Sequence, residues 1–169
     1  MAEQTTRTGS DKGYRTYVLA VLILVYIFNF IDRQILGILA PSIKAELNLS
    51  DADLGWLGGW AFAIFYTLMG VPIAMLADRF NRTWIITVSL AVWSGFTALC
   101  GTATGFWQLF LYRLGVGVGE AGGVAPAYSL ISDYFPPQER SRALAAYSFG
   151  IPVGMALGIL GGGLIAHQI

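Results

Sequence analysis

Arg113 to Gly123 reads RLGVGVGEAGG, with G-x-G-x-x-G at Gly117, Gly119 and Gly122. Behind a β-strand, that spacing marks a turn whose backbone amides cradle a dinucleotide pyrophosphate. Here the preceding FLYRL (110–114) contains an arginine and continues an apolar run of helical character. Asp133 and Glu139 lie roughly at the distance of a ribose-binding acid, but no strand feeds the glycines, so a nucleotide-dependent oxidoreductase is disfavoured. On a helix the same glycines form a thin face against which another helix packs closely. Whether this stretch is a loop or a span decides the fold.

Composition favours the span. Of 169 residues, 56% are hydrophobic and 12% are charged, half the charged share of an ordinary soluble domain, so the chain lacks polar surface to cover itself in water. The formal net charge is zero, which gives no reason to expect a nucleic-acid partner. One cysteine, Cys100, and one histidine, His167, exclude a disulfide framework and leave no expectation of a metal or a cofactor. Nothing points to an enzyme.

Five segments reach the roughly 20 apolar residues that a membrane helix needs: about 17–39, 54–76, 84–103, 106–134 and 143–166. Residues 1–16 form a polar tail, expected to be mobile and cytoplasmic. The run that follows is too long for a signal peptide, and 17–169 is expected to be a transmembrane bundle. The tail carries Arg7, Lys12 and Arg15, and the first loop, PSIKAELNLSDAD, is net acidic. ADRFNR carries Arg79 and Arg82, GTATGFWQ carries no charge, and DYFPPQERSR carries Arg140 and Arg142. Basic residues thus alternate loop by loop, which places the N-terminus and the second and fourth loops in the cytoplasm. In a bacterium the membrane would be the inner one. Asp51 or Ser50 is expected to cap the second span, and Trp56, Trp84 and Trp107 fall near span ends, as an interfacial belt requires.

Four ionisable residues lie inside these spans: Asp32 and Arg33 in the first, Arg113 and Glu120 in the fourth. Each costs about 2.5–3.5 kcal/mol at the bilayer centre, so they must face a polar cavity or one another. Asn29, Asp32 and Arg33 form one polar stripe at i, i+3 and i+4. Arg113 and Glu120, seven apart, share a face. Buried salt bridges that fix helix register remain one reading, and a transport pathway the other. Gly150, Gly154, Gly158 and Gly162 repeat at i+4 in the fifth span and make a packing ridge, beside which Pro152 is expected to kink the helix.

At this point several stretches resemble the major facilitator superfamily. LADRFNR (76–82) resembles the loop signature G-x-L-A-D-R-x-G-R-[KR], with Ala74 and Asn81 in place of its glycines and Thr83 in place of its last basic residue. RLGVGVGEA resembles R-x-x-q-G-x-g-a-a, with Val116 and Glu120 as departures. GILGGG (158–163) resembles the antiporter-type G-P-x-x-G-G, with Ile159 replacing the proline. Within the superfamily, FNFIDRQILGILAPSIKAEL (28–47), Glu120 and SDYFPPQERSRALA (132–145) are most similar to the spinster family, whose members carry lysophospholipids and sphingosine-1-phosphate.

That resemblance implies an all-α integral membrane protein holding five helices of a twelve-helix fold. It implies a secondary transporter, proton-coupled and moving an amphiphilic lipid, with membrane lipids around it. A carrier of a small organic anion or sugar is the alternative, and a non-transporting membrane protein a third reading. It also implies that Asp78, Arg79 and Arg82 form a cytoplasmic charge cluster that latches one conformation, with Asp133, Glu139, Arg140 and Arg142 in the same network. Asp32 becomes the proton-responsive carboxylate with Arg33 beside it, and Glu120 a cavity residue near the substrate head group. The remaining C-terminal helices of the same transporter become a required partner, since alternating access rocks one half against the other.

Overall fold

A computed structural model describes the backbone of residues 2–167 and the side chains of residues 12–60 and 62–167. Arg7 lies outside the described side chains. The described residues form helices and short connections, without a strand. Helix α1 spans Ala2–Leu47, so the polar N-terminal residues continue the first span as helix. Asn48 ends it at φ 51°, the left-handed position that Asn tolerates after a helix.

The second span is built in three pieces: α2 (Asp51–Gly55), a π-helical turn (Trp56–Trp60) and α3 (Ala61–Arg79). Of the two capping candidates the structure selects Ser50, whose Oγ accepts from Asp53 N at 3.2 Å while Asp53 Oδ2 accepts from Ser50 N at 2.9 Å. This reciprocal pair satisfies two amide donors that the helix start leaves free. The π-helical turn contains Gly58 and Gly59, which have no neighbour within 4 Å of a would-be Cβ. Helix α4 (Arg82–Cys100) starts at Asn81, whose Oδ1 accepts from Thr83 N at 3.0 Å. Asn81, one of the three departures from the loop signature, therefore serves as a cap.

Helix α5 (Phe106–Tyr134) is the fourth span. The fifth divides into α6 (Pro137–Ser148) and α7 (Gly150–Ala166), with Phe149 between them. Pro152 explains the division, because it has no N–H to donate to the carbonyl four residues back, that of Ser148. The first, second, third and fifth spans are long and apolar enough to cross a membrane. α5, at 29 residues, has the length but carries the two mid-helix charges. Leu68, Val71, Met75, Leu160 and Leu164 are all more than half exposed, an apolar exterior that suits lipid and not water.

Two packing seams organise the bundle. α1 packs along α7, α5 packs along both α3 and α4, and α1 meets α5 only sparingly. Both seams are glycine-dependent. A Cβ on Gly154 would lie 2.6 Å from Ile27 O, and one on Gly158 would lie 3.1 Å from Ile31 Cα. A Cβ on Gly162 would lie 2.8 Å from Ile38 Cδ1 and one on Gly150 an ordinary 3.4 Å from Tyr26 Cδ1, so α7 lays its four i+4 glycines on α1. Within RLGVGVGEAGG, a Cβ on Gly119 would come 2.6 Å from Trp93 N, and one on Gly122 would come 1.9 Å from Ser89 Oγ. Gly117 faces Phe62 at 3.3 Å. The phosphate-loop spacing is thus a packing face for α3 and α4. Gly154→Leu is expected to destabilise the chain in detergent by about 1–3 kcal/mol through overpacking. Gly161→Leu, with nothing within 4 Å, should leave the thermal unfolding midpoint close to wild type.

Candidate functional site

The in-span charges converge where α1, α3, α4 and α5 face one another. Glu120 is 2% exposed and Arg113 5% exposed, so α5 has buried both of its charges. Glu120 finds its partner on α1: Arg33 Nη2 lies 2.7 Å from Glu120 Oε2, and Arg33 Nε donates to the same oxygen at 2.8 Å. Such a charge-assisted fork fixes orientation as well as supplying energy. The Arg33 guanidinium also stands 4.9 Å from the Phe62 ring centroid and 5.0 Å from that of Tyr66. These two rings of α3 replace water with their π faces.

Asp32 turns the other way. Its Oδ2 accepts from Trp93 Nε1 at 2.6 Å and from Thr97 Oγ1 at 3.3 Å, both on α4. The single polar stripe expected on α1 is therefore divided: Arg33 serves α5 and Asp32 serves α4. Adjacent helical residues point about 100° apart, which is why they reach different neighbours. Trp93 is placed by packing, because the glycine face of α5 lets the α4 backbone approach at Gly119, opposite Trp93 itself.

Arg113 makes no ion pair among the described residues. Its Nε is buried without a hydrogen-bond partner, and its guanidinium lies 5.3 Å from the Phe62 centroid. Asn29 Oδ1 and Glu120 Oε1 are likewise buried and unpartnered. Both residues border a space of about 20 Å³ beside Ser89, large enough for one water. A larger cavity of about 350 Å³ opens between α1, the second span and α5. Arg33 and Arg113 are its charged groups, and Leu36, Leu54, Leu57 and Phe62 supply apolar wall.

The other expected residues are less concentrated. Arg82 pairs with Asp133, joining the start of α4 to the end of α5. Arg140 Nε donates to Phe135 O at 3.0 Å. Asp78, Arg79, Glu139 and Arg142 form no ion pair among the described residues. Lys44 pairs with Asp51 at the opposite end of the bundle. Trp93, Thr97, Phe62 and Tyr66 escaped the sequence reading. The available signal was Trp93 itself, a tryptophan far from any span end whose indole N–H needs an acceptor.

A bond from a neutral donor to a charged acceptor contributes about 1.5–3 kcal/mol. Trp93→Phe is expected to lower unfolding stability in detergent by about that amount. Thr97→Val, which removes the longer bond, should cost less. In an Asp32→Asn background the Trp93→Phe penalty should shrink, and an unchanged penalty would mean that Trp93 acts by packing alone.

Comparison with known proteins agrees with this architecture. The model of the Major Facilitator Superfamily matches residues 22–169. An MFS-type efflux pump of Mycolicibacterium smegmatis is 38% identical over 151 residues, covering 89% of this chain and 35% of the pump. Human protein spinster homolog 1 is 34% identical over 157 residues, covering 92% of this chain and 30% of that protein. The crystal structure of a bacterial homolog of the human lysosomal transporter spinster, inward-facing and unoccupied, superposes with a TM-score of 0.86 at 49% identity. That match covers 89% of this chain and 32% of the other. The chain thus spans about a third of the length of the relatives it matches. It belongs to the major facilitator superfamily, as a five-helix part of that fold's N-terminal half, and within the superfamily it resembles the spinster proteins.

Proposed function

We propose that the chain forms part of a secondary transporter for an amphiphilic lipid with an anionic head group, of the lysophospholipid kind. The observation that carries this reading is the cavity between α1, the second span and α5. It sets two guanidiniums, Arg33 and Arg113, against an apolar wall. A phosphate or carboxylate would pair with Arg113, which lines the cavity and has no ion pair among the described residues, and an acyl chain would lie on Leu36, Leu54 and Leu57. The resemblance to spinster proteins supports the same substrate class.

Proton coupling is assigned to Asp32, which is held by the neutral donors Trp93 and Thr97 and not by an arginine. A carboxylate without a fixed countercharge can lose or gain a proton as its surroundings open. Arg82 with Asp133 is assigned to the cytoplasmic latch, joined by Asp78, Arg79, Glu139, Arg140 and Arg142 in another conformation. The N-terminus and the loops bearing these arginines are assigned to the cytoplasm from the alternation of basic residues. Transport itself is assigned to this chain together with the helices that complete two rocking halves.

A carrier of a small organic anion is the second reading, favoured by the same two arginines but not by the apolar wall. Titration of the nanodisc-embedded chain with a fluorescent lysophospholipid and with short carboxylates separates the two. Saturable lysophospholipid binding, weakened about tenfold or more by Arg113→Ala, is expected, the tenfold loss corresponding to about 1.4 kcal/mol. Carboxylate binding of equal strength would favour the second reading. In a complete transporter containing this chain, Asp32→Asn is expected to abolish the stimulation of uptake by a pH gradient while leaving lipid binding in place. Unchanged stimulation would remove Asp32 as the proton carrier.

A further inference from the structure

A second cavity lies between α1, α4 and α5, across Leu36, Ile43, Leu109 and Arg113 from the first. We propose that it is a hydrated path that admits protons and small cations to Asp32 from the Glu46 end of the bundle, separate from the cavity assigned to the amphiphile. This deepens the proton-coupled reading of Asp32, and rests on it only for the use made of the arriving proton.

The cavity holds about 310 Å³ and follows α1 from Asp32 to Leu47, roughly 22 Å at 1.5 Å per residue. Glu46 and Gly101, at the ends of α1 and α4, are exposed and form its mouth. Asp32, Thr97, Cys100 and Arg113 also line it, and Asp32 and Thr97 border in addition a space of about 530 Å³ between α1 and α4. The Asp32 hydrogen bonds both fall on Oδ2. Its Oδ1 takes no hydrogen bond from the described residues, yet is not among the sealed, unpartnered atoms, so it faces open space. A carboxylate at span depth must be paired or hydrated. Asp32 has no ion pair among the described residues, and a space of this size has room for water beside it.

Charge sets which ions enter. Glu46 and Asp32 face one guanidinium, Arg113, so this cavity is net negative. The groups facing Asp32 are Trp93, Thr97 and Cys100 from α4 and Arg113 from α5, while Arg33, beside it in sequence, is turned to Glu120. The amphiphile cavity contains Arg33 and Arg113 and no acid. A low-dielectric cleft concentrates ions opposite to its own sign. The two cavities, sharing Leu36, Ile43, Leu109 and Arg113 as a common wall, therefore attract opposite charges.

Cys100, the chain's single cysteine, lines the path and reports on it. The nanodisc-embedded chain is treated with a cationic (trimethylammonium) and an anionic (sulfonate) ethyl methanethiosulfonate, and each rate is normalised to that on a free thiol. The same thiol is attacked in both cases, so its own reactivity cancels from the ratio. We expect the cationic reagent to react about 3–10-fold faster, and Glu46→Gln to bring the ratio towards one. In Cys100→Ser/Gly58→Cys, whose new Cβ meets nothing within 4 Å, the preference should reverse. Circular dichroism and tryptophan emission check that each variant keeps its fold. The proposal is overturned if Cys100 does not react in the folded chain, if Glu46→Gln leaves its ratio unchanged, or if both positions prefer the same reagent. A cation preference at Cys100 with no preference at position 58 would uphold the path and count against the amphiphile cavity.

Discussion

The ion pair between Arg33 and Glu120 is the constraint on which the site depends. α1 is packed along α7, and α5 along α3 and α4, but α1 and α5 touch each other sparingly. The pair crosses that gap with two short bonds onto one carboxylate oxygen. A buried carboxylate in a span is costly without a countercharge, and Arg33 supplies it from the neighbouring seam. The interaction therefore sets the register between the two packed groups of helices, and the cavities form on either side of it.

Small residues make this arrangement possible. With no hydrophobic drive between helices in lipid, close backbone approach has to stabilise the seams. Gly154 and Gly158 bring α7 onto α1, and Gly119 and Gly122 bring α4 onto α5. The second of these seams carries Trp93 to Asp32, so a packing feature positions a polar group. Where close packing stops, beyond Leu36 and Leu109, the walls separate into one cavity with arginines alone and another with two acids and one arginine. Among their charged groups, Arg113 faces both.

Much of the fold was legible in the sequence, because its strongest signals are local. Apolar length located the spans, the i+4 glycines marked the α7 face, and Pro152 marked the interruption at Phe149. Side-chain direction was not legible. Asn29, Asp32 and Arg33 share a helical face in projection, yet Asp32 and Arg33 end on different neighbours, since the choice depends on where α4 and α5 stand. The partners of Asp32 were missed for the same reason: Trp93 and Thr97 carry no charge and lie 61 and 65 residues away. The helical continuation before Tyr17 and the π turn at Trp56–Trp60 also escaped, the first because the polar tail lacks apolar periodicity. In the second, WLGGW reads as ordinary apolar span.

The measurement that tests this account most directly is a double-mutant cycle on Arg33 and Glu120, read as unfolding free energy in detergent. Glu120 is sealed while about a third of the Arg33 side chain is exposed, so losing the arginine strands the less tolerant charge. Arg33→Leu should therefore destabilise the chain by about 3–5 kcal/mol and Glu120→Leu by less, with the double variant recovering most of the loss. Additive single effects, with no coupling between the two positions, would contradict the claim that this pair holds the two groups of helices in register.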